Sequence, residues 1–175
     1  LWDRRERTLL LARDPMGLKP LYWTALKSGS LLFASELKAL LLHPAMDPSP
    51  DFVALRQHLA FGHASGTRTA VMGVSRLASG GFLQWRAGDR NVRVERFWRP
   101  DFHAVRPENQ RRAAEQLRER VAAGVIGQMV SDAPLGAFLS GGLDSAYVTM
   151  LAAPAASGPF QCYTIVYPPE DNLLD

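Results

Sequence analysis

The sequence predicts two domains in series: an α+β part built on antiparallel sheet, and then the start of an α/β part built on parallel sheet. Three observations lead to this prediction. Short apolar runs separated by glycine-containing turns fill residues 1–98, residues 99–108 hold two prolines and no periodicity, and residues 135–167 run strand, helix, strand. Antiparallel strands need only tight turns between them, whereas a strand–helix–strand order favours parallel strands.

The composition limits the classes of protein to which this chain can belong. With 175 residues, 47% of them hydrophobic, the chain suffices for one ordinary domain or two small ones. The net charge is only +3, and arginines cluster without interleaved aromatic residues at Arg4, Arg5 and Arg7 and at Arg111 and Arg112. Such clusters favour a solvated face over nucleic-acid binding. No apolar stretch approaches the ~20 residues of a membrane span. We therefore predict neither a nucleic-acid partner nor a membrane partner.

The single cysteine, Cys162, excludes an internal disulfide framework and fits a reducing compartment, so we predict a cytoplasmic protein. Its apolar neighbours predict a small buried residue rather than a nucleophile. The four histidines have neither metal-ligand spacing nor cysteine partners, which argues against a zinc site.

The first elements are strands. Thr8–Ala12 reads as a short buried strand, and the Asp14-Pro15 pair and Gly17 then predict a turn. Residues 21–23 and 30–34 predict a hairpin around a glycine-containing connection.

Two helices and a second hairpin follow. We expect a helix over 36–42 capped by Ser35, and another that begins with Ser49 as N-cap and Pro50 at its first position and ends at Gly62. Residues 71–77 have extended character. Alternation on both sides of the turn at residues 88–89 predicts an antiparallel hairpin over 82–98.

The predicted domains are 1–100 and 109–175, joined by a linker over 101–108. In the second domain, apolar residues recur every four positions from Asn109 and predict a long helix. Beyond it, a strand at Leu135–Leu139, a helix over 144–152 and a strand at 161–167 predict one βαβ unit with parallel strands.

The loop inside this βαβ unit carries the chemistry. It reads Ser140-Gly141-Gly142-Leu143-Asp144-Ser145, so two glycines permit a sharp turn and two hydroxyls precede a helix start. Backbone N–H groups at such a helix start favour a phosphate. Asp144 repels an anion unless it holds a bridging magnesium ion or caps the helix. The alternative reading is an ordinary strand–helix turn with Asp144 or Ser145 as N-cap. The loop lacks the lysine of a Walker A motif.

This loop resembles the pyrophosphate loop of the N-type ATP pyrophosphatases. Other segments resemble class B, glutamine-hydrolysing asparagine synthetases in order and spacing, namely 13–22, 33–40, 61–62, 66–69, 73–77, 96–98 and 132–139. The chain is identified as an internal piece of that family, spanning the end of the glutaminase domain and the start of the synthetase domain. The implied folds are an Ntn-type sandwich of antiparallel sheets and a doubly wound, parallel-sheet ATP pyrophosphatase domain, both incomplete.

The resemblance implies a carbon–nitrogen ligase that adenylates aspartate with Mg-ATP and amidates it with ammonia from glutamine. Asp14 matches the residue for the amino group of glutamine, and Leu139 and Ile165 match backbone contacts near adenosine. The remaining implied ATP and pyrophosphate contacts are Ser140, Gly141, Gly142, Leu143, Asp144 and Ser145. The cofactors implied are ATP and Mg²⁺, with Asp144 as the metal ligand. The whole protein is implied to be a homodimer.

Departures from the family pattern limit these expectations. The family's nucleophilic N-terminal cysteine has no counterpart in this sequence, so we assign no catalytic residue and expect no glutaminase activity from this piece. Ala78-Ser79-Gly80-Gly81 stands where the family has Pro-Pro-Gly-His, and Val166 stands where glycine is common. Two alternatives remain: another amide-forming or cyclising homologue, of the β-lactam synthetase or peptide-maturation cyclase type, or a non-catalytic regulator of the same fold.

Overall fold

A computed structural model describes residues 1–102 and 109–166. The chain divides into two compact units, Leu1–Phe102 and His103–Asp175. Most of the predicted linker, residues 103–108, and the last nine residues of the predicted second domain lie outside the described residues. Across the described ranges, every helix is too short or too polar to cross a membrane.

The first unit contains two antiparallel sheets. The strands are β1 (Trp2–Asp3), β2 (Thr8–Ala12), β3 (Tyr22–Ala25), β4 (Leu31–Ala34), β5 (Ser75–Arg76), β6 (Gly81–Arg86) and β7 (Arg93–Arg96). One sheet has the strand order β1-β2-β6-β7 and the other β4-β3-β5. Both predicted hairpins are confirmed, as β3–β4 and β6–β7. The long-range pairing of β2 with β6 carries no local signal in the sequence.

The core of this unit lies between its two sheets. Leu11 of β2 and Leu83 of β6 form a buried cluster with Leu77, and Leu83 is fully inaccessible to solvent. Partly buried side chains from both sheets complete this cluster: Leu9, Leu21, Trp23, Leu31, Trp85 and Val92. Because strand side chains alternate between faces, Tyr22 of β3 and Leu32 and Ala34 of β4 pack instead against a second cluster around Leu40.

The second helix begins later than the sequence predicts. It is α2 (Phe52–Phe61), and its N-cap is Asp51 rather than Ser49. The buried Asp51 carboxylate accepts the N–H groups of Val53 at 3.0 Å and Ala54 at 3.1 Å, and Arg68 Nη1 lies 2.7 Å from its other oxygen. These contacts stabilise Asp51, rather than Ser49, as the N-cap of α2. The predicted end at Gly62 is confirmed, with φ of 74°.

Two smaller predictions also need correction. The first helix, α1 (Leu37–Leu41), has Glu36 rather than Ser35 at its N-cap position. Within residues 71–77 only Ser75–Arg76 forms a strand. The Thr69 hydroxyl bonds to Val71 and Val74, and this contact bends the chain away from an extended path.

The second unit contains the predicted βαβ arrangement. Its elements are α3 (Gln110–Gly127), β8 (Gly136–Phe138), α4 (Leu143–Ala152), a short 3₁₀ turn (Ala153–Ala155) and β9 (Gln161–Tyr163). Strands β8 and β9 are parallel, as predicted. The Asn109 side chain caps α3 by accepting the N–H of Arg112 at 2.8 Å.

Burial differs from the prediction at Cys162. This residue is exposed on β9, because the described part of its sheet has two strands and leaves both faces of β9 open to solvent. The observed architecture is therefore mixed α and β with antiparallel sheets in the first unit and a parallel pair in the second.

Candidate functional sites

The first candidate site is the loop that follows β2. The Asp14 carboxylate accepts the N–H of Leu18 at 2.9 Å on one oxygen and that of Lys19 at 3.3 Å on the other. Its backbone carbonyl accepts the N–H groups of Gly17 and Gly80, each at 3.0 Å. Asp14 therefore stabilises a tight turn with its side chain, as Asp does in such positions.

The same contacts fix the charge of Asp14. The N–H of Leu18 lowers the pKa of the carboxyl below its usual value, more than burial raises it, and the N–H of Lys19 adds to the lowering. The group is thus a half-buried carboxylate. Such a carboxylate can bind an ammonium group.

Arg13 holds this loop in place, a role that the sequence analysis missed. Its guanidinium donates to three carbonyl oxygens: Nε to Lys19 at 2.8 Å, Nη1 to Leu77 at 2.7 Å and Nη2 to Gly17 at 2.6 Å. Only arginine offers a planar fork of donors with this reach. The position of Arg13 directly before the Asp-Pro turn was the only local signal for this role. Its partner Leu77 lies far along the chain, so the local pattern does not identify it.

Two glycines allow the close approach of these segments. A Cβ on Gly17, whose φ is 67°, would lie 3.0 Å from Arg13 Nη2 and 3.0 Å from Ser79 Cβ. A Cβ on Gly80, whose φ is 62°, would lie 2.5 Å from the carbonyl oxygen of Trp98. The segment that departs from the family pattern, residues 78–81, thus keeps a glycine where the backbone leaves no room for a side chain.

The second candidate site is the loop between β8 and α4. Gly141 has φ of 81°, and Gly142 occupies the N-cap position of α4 without a side-chain cap. Neither Asp144 nor Ser145 is therefore the N-cap, and Asp144 lies in the first turn with an exposed side chain. The alternative reading of the loop as a turn capped by one of these residues is wrong.

The two serines of this loop bond to each other. Ser140 Oγ lies 3.0 Å from Ser145 Oγ, and the Ser145 hydroxyl also accepts the N–H of Ser140 at 3.3 Å. Ser145 Oγ further lies 3.0 Å from the carbonyl oxygen of Gly142. These contacts join the two ends of the loop across its glycines.

Three backbone donors lie where this loop enters α4. The N–H groups of Leu143, Asp144 and Ser145 have no acceptor within α4, because they belong to its first turn. Together with the positive end of the helix dipole, they form an arrangement suited to an anion.

The structure brings most of the predicted nucleotide contacts together. Residues 139–145 are contiguous, and Leu139 donates its N–H to the carbonyl oxygen of Tyr163 at 2.7 Å, beside β9. Ile165 lies just beyond the end of β9 and is 77% exposed. Since β8 and β9 are parallel, both residues lie at the carboxyl ends of their strands. Asp14 lies in the other unit.

Comparison with known proteins gives matches over both units. Residues 1–98 match the model of a family described as glutamine amidotransferase domain, and residues 116–173 match the model of a family described as asparagine synthase. Neither match assigns a role to an individual residue of the two loops.

Three curated relatives illustrate the likeness. The chain is 32% identical over 152 residues to asparagine synthetase [glutamine-hydrolyzing] 1 of Bacillus subtilis, covering 87% of this chain and 23% of that protein. It is 30% identical over 179 residues to asparagine synthetase [glutamine-hydrolyzing] 3 of the same organism, covering 99% and 28%. It is also 30% identical over 158 residues to amidase chyE of Penicillium rubens, covering 87% and 22%. The chain thus spans about a quarter of the length of the first two relatives.

Proposed function

The chain belongs to the glutamine amidotransferase domain family, and from this premise we propose that it is part of a glutamine-dependent asparagine synthetase. The whole protein would adenylate aspartate with ATP and amidate it with ammonia from glutamine, yielding asparagine, AMP and pyrophosphate. One observation carries the proposal: an amidotransferase match and an asparagine synthase match follow each other in a single chain. The detailed folds, an Ntn-type sandwich and a doubly wound ATP pyrophosphatase domain, are part of the proposal.

The loop between β8 and α4 would hold the pyrophosphate part of ATP. Its open N–H groups and its two serine hydroxyls supply donors at one helix start. The Ser140–Ser145 contact would have to open for both hydroxyls to donate to phosphate oxygens. Leu139 would contact the adenosine through its carbonyl, because its N–H already donates to Tyr163. Ile165 would offer its exposed backbone at the neighbouring strand end.

A magnesium ion fits this site only as a partner of the substrate. Across residues 1–102 and 109–166 no three His, Cys, Asp or Glu side chains converge to hold a metal. Mg²⁺ commonly keeps several waters and takes one or two carboxylates plus phosphate oxygens, so the exposed Asp144 is a sufficient protein ligand. When bound, the ion would neutralise phosphate charge, and Asp144 would hold it beside the loop.

The binding role of the loop can be tested by calorimetry with pyrophosphate and Mg²⁺. We expect magnesium-dependent binding by the 175-residue chain and its loss in Asp144→Ala. Glu119→Ala, on the exposed surface of α3, is the matched control and should bind as the unaltered chain does. Unchanged binding by Asp144→Ala would refute the metal role of this carboxylate.

The reaction itself requires the whole protein. We expect isotope exchange of pyrophosphate into ATP only when aspartate is present. Exchange with a different carboxylate would favour another amide-forming or cyclising homologue, an option that the similarity to a protein named as an amidase keeps open. An absence of exchange with every acceptor would favour a regulator of the same fold.

For the glutaminase half, we propose that the half-buried carboxylate of Asp14 binds the amino group of glutamine. Asp14→Asn in the whole protein should raise the KM for glutamine at least tenfold and leave use of free ammonia unchanged. Loss of both activities would instead show that Asp14 stabilises its loop. We also propose a cytoplasmic homodimer with glutamine, aspartate and ATP as its small-molecule partners, and with neither a nucleic acid nor a membrane among them.

A further inference from the structure

A single peptide group lies between the guanidinium of Arg13 and the carboxylate of Asp14. Its carbonyl oxygen, that of Gly17, accepts a hydrogen bond from Arg13 Nη2 at 2.6 Å. Its N–H, that of Leu18, donates to Asp14 Oδ2 at 2.9 Å. Because the C=O and N–H of a planar trans peptide point in opposite directions, the two charged groups hold this peptide from opposite sides. A cation on the carbonyl also polarises the peptide, which strengthens donation by its N–H.

Lys19 is held by the same two side chains. Its backbone carbonyl accepts from Arg13 Nε at 2.8 Å, and its N–H donates to Asp14 Oδ1 at 3.3 Å. The two N–H groups that bond to the oxygens of Asp14 therefore both lie in backbone that Arg13 holds. The direction in which the carboxylate points depends on Arg13, although the two side chains do not need to touch.

Arg13 is itself anchored to the core of the first unit. Its Nη1 donates to the carbonyl oxygen of Leu77 at 2.7 Å, and Leu77 is a fully buried member of the cluster between the two sheets. The backbone N–H of Arg13 donates to the carbonyl oxygen of Gly81 at 2.9 Å, and that of Gly80 donates to the backbone carbonyl of Asp14 at 3.0 Å. The loop cannot shift against residues 77–81 without breaking these bonds.

Three different nitrogens of the Arg13 guanidinium make its three side-chain bonds. A lysine keeps the positive charge but carries its donors on one nitrogen, so it cannot reproduce this fork. Exchange of Arg13 for lysine therefore separates the geometry of the guanidinium from its charge.

We propose that Arg13 is a positioning residue for glutamine, which fixes the Asp14 carboxylate toward the amino group of the substrate through the Gly17–Leu18 peptide and Lys19. This inference rests on the proposed role of Asp14 and extends it to a residue that does not contact glutamine. An ion pair with an ammonium group depends on the direction of the carboxylate as well as on its charge. Affinity for glutamine should therefore depend on the Arg13 fork.

The test is steady-state kinetics of the whole protein with glutamine and with free ammonia. Arg13→Lys should raise the KM for glutamine at least about fivefold, with little change in kcat and none in the use of ammonia. A variant that merely unfolds part of the first unit would instead lower kcat at unchanged KM, because fewer molecules are active. The split between KM and kcat thus separates positioning from stability.

A double variant tests whether Arg13 acts through Asp14. Arg13→Lys/Asp14→Asn should have the KM of Asp14→Asn within about twofold, because two residues of one bonded network do not contribute independently. The matched control is Arg76→Lys. Arg76 Nη2 also donates to a backbone carbonyl of this unit, that of Gly66 at 2.8 Å, and this exchange should change the KM less than about twofold.

A titration of the Asp14 carboxyl by NMR in the 175-residue chain tests the link without glutamine. The N–H of Leu18 is the main cause that lowers the pKa of this carboxyl. In Arg13→Lys that N–H is no longer fixed, so the pKa should rise toward its ordinary value, and it should stay low in Arg76→Lys. Circular dichroism checks that each variant folds. If Arg13→Lys does not, Gly17→Ala replaces it in both tests with the same expected directions, since its Cβ would crowd Arg13 Nη2 at 3.0 Å.

The outcomes distinguish this inference from the role of Asp14 on which it rests. A raised KM in Asp14→Asn with an unchanged KM in Arg13→Lys would overturn the positioning role and leave Asp14 as the glutamine residue. KM effects that multiply in the double variant, an equal rise in Arg76→Lys, or an unchanged pKa of Asp14 in Arg13→Lys would do the same. An unchanged KM in Asp14→Asn would refute both assignments.

Discussion

The loop that follows β2 is held by contacts from its own charged side chains, whereas the loop that follows β8 keeps backbone donors open. Around Asp14, a carboxylate accepts two N–H groups and the guanidinium of Arg13 covers three carbonyls. Around Ser140, two hydroxyls bond to each other and the first-turn N–H groups of α4 have no acceptor within the helix. The charged side chains of the first loop bond to its own backbone and so stabilise it. The second loop can exchange weak internal contacts for a ligand.

The two units also differ in how much apolar surface they bury, and the first unit buries more. The first unit has buried clusters around Leu83 and Leu40, but α3 of the second unit has no buried residue among those described. Apolar side chains of the second unit line an open groove of about 470 Å³ between α3, α4 and β8. The loop with more contacts from its own side chains therefore lies in the unit with the larger buried core.

Removing the Arg13 side chain should have the largest effect. Arg13→Ala leaves three carbonyls without their charged donor, so the free energy of unfolding of the first unit should fall by about 2–4 kcal/mol. Urea denaturation followed by tryptophan fluorescence measures this, because Trp23 and Trp85 pack against the core. The control Arg99→Ala, at an exposed position, should cost less than about 0.5 kcal/mol. Equal costs for the two variants would show that Arg13 does not hold the loop.

A glycine exchange within the first unit should have the next largest effect. Gly17 and Gly29 both have positive φ, but only at Gly17 would a Cβ meet neighbouring atoms. Gly17→Ala should cost about 2 kcal/mol and Gly29→Ala about 1 kcal/mol, the difference reflecting crowding against Arg13 and Ser79. The same denaturation experiment measures both. If Gly29→Ala lowers the free energy of unfolding more than Gly17→Ala does, close packing around Gly17 contributes little to the stability of the loop.

The charge of Asp14 predicts a pH dependence. Its folded-state pKa is lowered, chiefly by the N–H of Leu18, so its stabilising contribution is present above the ordinary pKa and is lost as the pH falls through the lowered one. The difference in Tm between the unaltered chain and Asp14→Asn should be constant from neutral pH to about pH 5 and shrink below that. Thermal melts over this range test the sign. A difference that grows on acidification would contradict the assigned contacts.

The smallest effect is expected in the second loop. Ser145→Ala removes the contact with Ser140, but water can replace it at this open site, so the opening free energy of α4 should fall by less than about 1 kcal/mol. Amide hydrogen exchange of α4 measures this quantity. A loss as large as that of Arg13→Ala would erase the contrast between the two loops.

Local signals made much of the fold predictable. Gly62 ends α2, a long helix follows Asn109, and the turn at Gly88-Asp89 separates β6 from β7, each as the sequence indicates. These features depend on φ preferences and on side-chain contacts a few residues away. The βαβ order at the second loop is of the same kind, so the loop and its helix were located correctly.

Non-local contacts account for the rest. The choice of Asp51 over Ser49 as the cap of α2 depends on Arg68, and the position of the Asp14 loop depends on the bond from Arg13 to Leu77. Neither partner is visible from the local pattern. The Ser140–Ser145 contact depends on side-chain rotamers, which sequence spacing does not determine.

The pairing of β2 with β6 has a consequence for how the chain reaches its structure. Ala12 opposes Phe82 and Thr8 opposes Arg86, so the central contact of the larger sheet joins segments far apart along the chain. Loop-closure entropy must be overcome before this contact can form, which slows folding. During synthesis, β2 leaves the ribosome long before β6 does, so the edge of β2 that pairs with β6 stays open until β6 emerges, although β1 can already pair with the other edge. The β3–β4 hairpin lies between them in sequence and can form first.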